Sequence, residues 1–160
     1  MRRFESTPSV RLWTSAGPGV DAWVAEALPV RLAGLAGLAD LPPGRALLLP
    51  RCRSVHTLGM RFAIDVALVS WPPELGGCDI VALEVAVPPL RLVAPRGLPR
   101  GRSAVLEAAA GSLPALGVRR GAWLSVSPAG SGYAKPDRWR RRRQMFDRPR
   151  PNGVDVNFRV

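Results

Sequence analysis

Glycine and proline decide first what this chain can become. With 16 of one and 17 of the other among 160 residues, the chain is cut into short pieces. Proline fixes φ and removes a backbone donor, and glycine in a helix interior costs about 1 kcal/mol relative to alanine. Long helices are therefore disfavoured, and short strands joined by turns are favoured. The apolar share is 47%, enough for a real buried core. No stretch approaches the ~20 apolar residues of a membrane helix. The opening Met1-Arg2-Arg3-Phe4-Glu5 is not followed by the apolar core of a secretory signal. The expected compartment is the cytoplasm.

The strand candidates lie between these breaks. Residues 10–13, 46–49, 62–70, 80–87, 103–108 and 122–127 read as strands. In the third of these, Phe62, Ile64, Val66 and Leu68 share one face, and Ala63, Asp65, Ala67 and Val69 the other. Residues 21–28 are ambiguous between helix and strand, because Pro29 disfavours helical geometry at Leu28. Leu32, Leu35 and Leu38 recur at threes and predict a short helix over 31–38, weakened by Gly34 and Gly37. Residues 112–117 predict one helical turn capped by Ser112. The expected fold is mainly β: a small antiparallel β-sandwich or barrel-like domain with one or two short helices. It would span 20–127, after an N-terminal extension 1–19 and before a basic, flexible tail 128–160. The glycines show no phosphate-binding pattern.

The densest chemistry is Cys52-Arg53-Ser54-Val55-His56-Thr57-Leu58-Gly59-Met60-Arg61-Phe62-Ala63-Ile64-Asp65, which contains the only histidine. This run resembles the signature of the family called domain of unknown function 192. Arg31-Leu32-Ala33-Gly34-Leu35 resembles that family's upstream Arg-x-x-Gly-Leu element. Leu106-Glu107 with Gly111 resembles its Leu-Glu-x-x-x-Gly element, and Gly117 to Gly121 its closing turn. The resemblance covers roughly residues 20–127 and implies a small β-rich, sandwich-like fold with no established activity. Two departures stand out: Ala63 replaces a frequent Pro, and Ala122 replaces a common Asp.

Several readings of the run compete. Cys52, His56 and Met60 fall at i, i+4 and i+8, and thiolate, imidazole and thioether suit a soft metal. A single His, however, cannot build the two-His metal motifs. The bland reading is a half-buried thiol, a hydrogen-bonded imidazole and a core Met. No cofactor is predicted. Asp65 lies on an apolar strand face, so its carboxylate must be paired or hydrogen-bonded. The expected partners are His56, Arg61 or backbone amides of the loop 54–61. Glu107 is a second strand-borne acid. It would pair with an Arg, or with Asp65 for acid/base work. Ser54 or Cys52 with His56 and Asp65 could be drawn as a triad, but residues so close in sequence seldom converge that way.

The charge is uneven. Residues 128–160 carry nine basic and three acidic side chains, more than half of the net +11. Arginine dominates, with Lys135 the one lysine among 23 basic residues. Within the tail, Arg138-Trp139-Arg140-Arg141-Arg142-Arg143 has the composition that binds phosphates and stacks on unpaired bases; its bland reading is a solvated charge run. Val154 to Val160 alternates as a strand that could add to a sheet edge. Cys52 and Cys78 allow a disulfide but do not imply one, and nothing in their number or spacing reads as a disulfide framework.

The leading functional reading is a non-enzymatic binding or accessory module for an unidentified small molecule or protein. Its candidate ligand-binding residues are His56, Met60, Arg61, Asp65 and Glu107. The alternatives are nucleic-acid or polyanion binding through the tail, and a metal-dependent or acid/base enzyme using Cys52, His56, Asp65 and Glu107.

Overall fold

The computed structural model describes residues 2–16, 19–73, 76–95, 97 and 101–128. Among these residues, a 3-10 turn at Arg2–Phe4 is followed by nine strands and two short α-helices in the order β1 (Ser9–Trp13), β2 (Val20–Val24), α1 (Leu28–Ala33), β3 (Arg45–Pro50), β4 (Val55–His56), β5 (Ile64–Ser70), β6 (Gly77–Val87), β7 (Leu92–Val93), β8 (Ser103–Ala109), α2 (Ser112–Ala115) and β9 (Trp123–Pro128). Seven strands close into a barrel in the order β1-β2-β3-β8-β5-β6-β9, and β4 and β7 pair as a separate ribbon. The mainly β, barrel-like class expected from the sequence is the one formed. Barrel pairing is antiparallel except between β2 and β3, which run parallel. A parallel pair needs a long crossover, and residues 25–44 with α1 provide it. The barrel takes in residues 9–13, ahead of the boundary at 20 drawn from the sequence.

Closure gives the wall two buried faces. One apolar cluster draws Leu12, Ala22, Leu48, Ala67, Ile80, Leu106 and Leu124 from all seven strands and is the barrel interior. Small barrels fill their interior with side chains, and Ala22, Ala46, Ala67, Ala104 and Ala108 keep that volume small. The second cluster lies on the outer face. Trp23, Leu47, Leu49, Ile64, Val66, Leu68 and Val105 pack there under Leu35, Leu41, Val55 and Met60. Ile64, Val66 and Leu68 thus share a face as expected, with Phe62 partly buried beside them. The opposite face of β5, with Ala67 and Val69, points inward.

Three local expectations change. Residues 20–24 settle the ambiguous segment as a strand, because pairing with β1 and β3 outweighs its alanines. Helix α1 begins earlier than predicted: Pro29 sits in its first turn, where proline's missing N–H costs nothing. The helix ends at Gly34, whose φ of 50 turns the chain, so Leu35 is buried while Leu32 stays exposed. The N-cap of α2 is Gly111 rather than Ser112, and no side chain of the cap residue itself bonds the helix. Among the described residues, no helix is long and apolar enough to cross a membrane.

Candidate functional site

The chain leaves β3 at Arg51 in a left-handed conformation (φ 54) and enters the ribbon. Thr57, fully buried, holds that ribbon together. Its hydroxyl donates to the Pro88 carbonyl and accepts from the Arg91 amide, both at 2.8 Å. Its own amide donates to the Arg91 carbonyl at 2.8 Å. Strand alternation then sends Val55 into the outer-face core and His56 into solvent. Leu90 and Leu92, on the facing arm, are exposed. Beyond the ribbon, Gly59 (φ 72) makes a turn whose carbonyl accepts from Gly37 at 2.9 Å, and Met60 enters the apolar cluster.

These constraints separate the residues that the sequence grouped. His56 and Arg61 are exposed, Met60 is part of the core, and Asp65 and Glu107 are both buried. Asp65 is bonded as its position requires, but its partners are not in the loop 54–61. Its Oδ1 accepts from the Ala86 amide and its Oδ2 from the Leu113 amide, both at 3.0 Å. The β5–β6 register slips between Ile64 and Val66, and this bulge leaves the Ala86 N–H (φ 51) without a ladder partner. The Leu113 N–H is one of the orphan donors at the start of α2. The carboxylate therefore takes the capping role expected of Ser112.

The soft-metal arrangement is not realised as a helical face, because residues 51–61 contain no helix. The half-buried Cys52 donates its S–H to the Ser54 carbonyl at 3.0 Å, while Met60 points into apolar surroundings. Among the described residues, no three His, Cys, Asp or Glu side chains group as metal ligands. Cys78 is a free thiol inside the barrel. Burial, with a smaller contribution from Asp79, pushes it up to about 12. The tail's Arg138 to Arg143 and the alternating end 154–160 lie outside the described residues.

Glu107 has a different environment from Asp65. In register, Trp23, Leu47, Glu107, Val66 and Glu84 form one row across five neighbouring strands. Glu107 is 3% exposed, and its Oε2 has no hydrogen-bond partner. Burial pushes its carboxyl up to about 8. Among the described residues, the expected Arg partner is not there. The pairing with Asp65 does not form either, because Asp65 is opposite Ala108 while Glu107 is opposite Val66, and adjacent register positions point to opposite faces. A Cβ on Gly34 would lie 3.7 Å from Oε2. The motif-bearing segments thus meet on the outer wall: Gly34 over Glu107, and Met60 in the cluster that flanks it.

An accessible cleft lies at the other end of the run. Arg51, Cys52, Arg53 and Ser54 form one side of an open cleft of about 850 Å³, and Ala94, Pro95, Gly97 and Gly101 line the other. Two arginines, a cysteine and a serine are among its lining residues, and none of the described lining residues is acidic. The sequence reading passed over Arg51 and Arg53 as site residues and considered Ser54 only for a triad it disfavoured. The signal was two arginines flanking a cysteine, but the second wall lies some forty residues downstream and is brought close by the β4–β7 pairing.

Residues 11–126 match the model of DUF192, described as an uncharacterized ACR. Two solved structures share the fold. One is a Sinorhizobium meliloti protein described as a candidate transcription regulator, with 22% identity and a TM-score of 0.59, covering 78% of this chain and 95% of that one. The other is a Novosphingobium aromaticivorans protein of unknown function, with 16% identity and a TM-score of 0.58, covering 74% and 83%. No curated protein matches the sequence.

Proposed function

The chain belongs to the DUF192 family, and on that footing we propose that it is a non-enzymatic binding module whose cleft over residues 51–54 takes a small carboxylate- or phosphate-bearing molecule. One observation carries this reading. Arg51 and Arg53 line the same cleft wall as Cys52 and Ser54, with no acidic residue among the described lining. Guanidinium groups recognise carboxylate and phosphate oxygens through paired N–H donors. Ser54 adds a hydroxyl, and the glycines opposite leave room for a ligand to approach the backbone. Met60 and Asp65 have supporting roles in this scheme. The first anchors the loop in the core, and the second fixes the strand from which the run is built. A cytoplasmic setting belongs to the same proposal and is supported by two unpaired cysteines.

The test is calorimetric titration with inorganic phosphate, citrate and a neutral amide control. Binding should be selective for the anions, weaken with added salt, and drop about tenfold or more in the R51A/R53A double variant. Equal affinity of wild type and double variant, or no discrimination between citrate and the amide, rejects the cleft as an anion site.

A further inference from the structure

The outer wall contains a buried acid that neither the barrel nor the cleft uses. Glu107 stands at the middle of a strand row, between Leu47 and Val66, with an oxygen that nothing satisfies. Gly34 lies over that oxygen with no side chain between them. We propose that the turn 34–38, braced by the turn 57–60, forms a proton-gated lid over Glu107, closed while the carboxyl is protonated and loosened when it ionises.

Three observations support the device. First, the cover is thin. Helix α1 has no buried residue, and Leu28 and Leu32 are 64% and 65% exposed. Leu35 and Met60 hold the cover down, helped by the Gly37–Gly59 backbone bond. Second, the buried Oε2 of an ionised carboxylate in this position has no donor. Its wall-side neighbours are Leu47 and Val66. The charged groups on the surrounding elements are engaged or turned outward. Arg3 donates to the Gly34 and Ala36 carbonyls, and Arg31 donates to the Pro50 carbonyl. Arg45 lies over the Trp23 ring. Glu26, Asp40, Arg61 and Glu84 are exposed, as is His56 on the ribbon. Third, the cost falls in an accessible range, since burial alone places the carboxyl at about 8. Above that pH, letting water reach Oε2 by lifting a glycine turn is the least disruptive way to solvate the charge.

Pulsed hydrogen exchange from about pH 5 to 9.5, referenced to unstructured-chain rates at each pH, reads the lid directly. The reporters are the amides of Gly34, Gly37, Leu38 and Met60, all internally bonded in the closed form. Their protection should fall about tenfold per pH unit as the pH rises toward about 8 and level off above it, while amides of β3 and β8 stay protected. In E107Q the protection should not change with pH. Flat protection in the wild type, the same fall in E107Q, or parallel loss in β3 and β8 overturns the lid. A carbon-detected titration of the Glu107 carboxyl in the unmodified protein provides a second check. A midpoint near 8 is expected, and one in the ordinary carboxylate range rejects the device.

Discussion

Replacing Asp65 with alanine is the sharpest perturbation the structure offers, because one side chain satisfies two backbone donors on different elements. The Leu113 amide is buried and the Ala86 amide partly so. A buried donor left unpaired costs about 1–3 kcal/mol. The Leu113 bond should cost the full amount, whereas water can reach the Ala86 bulge and reduce its share. Alanine also removes the desolvation cost of the carboxylate, so the expected loss is about 2–4 kcal/mol rather than the sum of both extremes. For a domain of this size that corresponds to a fall in Tm of roughly 8–15 °C. D65N should lose less, since its amide oxygen can keep one of the two bonds. Urea and thermal unfolding measure the total, and hydrogen exchange assigns it: protection should fall at Leu113 and Ala86 and hold across the loop 54–61. A D65A melt within about 2 °C of wild type, or protection lost in the loop but kept at Leu113, would refute the double clamp.

Two further outcomes follow from the same geometry. Glu107's carboxyl sits at about 8 in the folded chain against an ordinary 4.5, so the folded state keeps a proton that the unfolded state releases. Its contribution to stability is full below about 4.5, falls by about 1.4 kcal/mol per pH unit above that, and is gone once pH passes about 8. E107Q should flatten the urea-midpoint profile in that window, and coincident slopes for the two proteins would show the acid is not held neutral. The thiols should also differ: native protein should titrate one thiol with a disulfide reagent, Cys52, and denatured protein two, because Cys78 is enclosed and raised to about 12. Rapid reaction of both in the native state would mean the barrel interior is open.

Much of the barrel was legible because its strands are short and bounded by turn residues. The β5 segment shows how far that reading reaches. Alternation placed Ile64, Val66 and Leu68 together, but both faces are buried, so its period separates large side chains outside from small ones inside rather than apolar from polar. The elements that escaped are those whose stability is non-local. A two-residue strand such as Val55–His56 has no period to read and exists through Thr57's bonds to Pro88 and Arg91. The parallel β2–β3 pair depends on a crossover of some twenty residues, and local propensity does not encode its direction. Arginine 51 and its cleft depend on the same long-range pairing.

The two buried acids show why the requirement was readable and the partner was not. An aspartate on an apolar strand face needs donors, and that much follows from its neighbours. Which donors it finds depends on a register slip in β6 and on a helix start 48 residues away, neither of which leaves a mark near residue 65. Glu107 is offset from Asp65 by one register position on the adjoining strand. That single step sends it through the wall to the outer face, where leucine, valine and a glycine turn meet it instead of amides. The same residue class thus becomes a bonded brace on one side and a proton-holding acid on the other. Because the wall separates them, neither can tune the other as a catalytic pair must, and each has to be understood through the element that covers it.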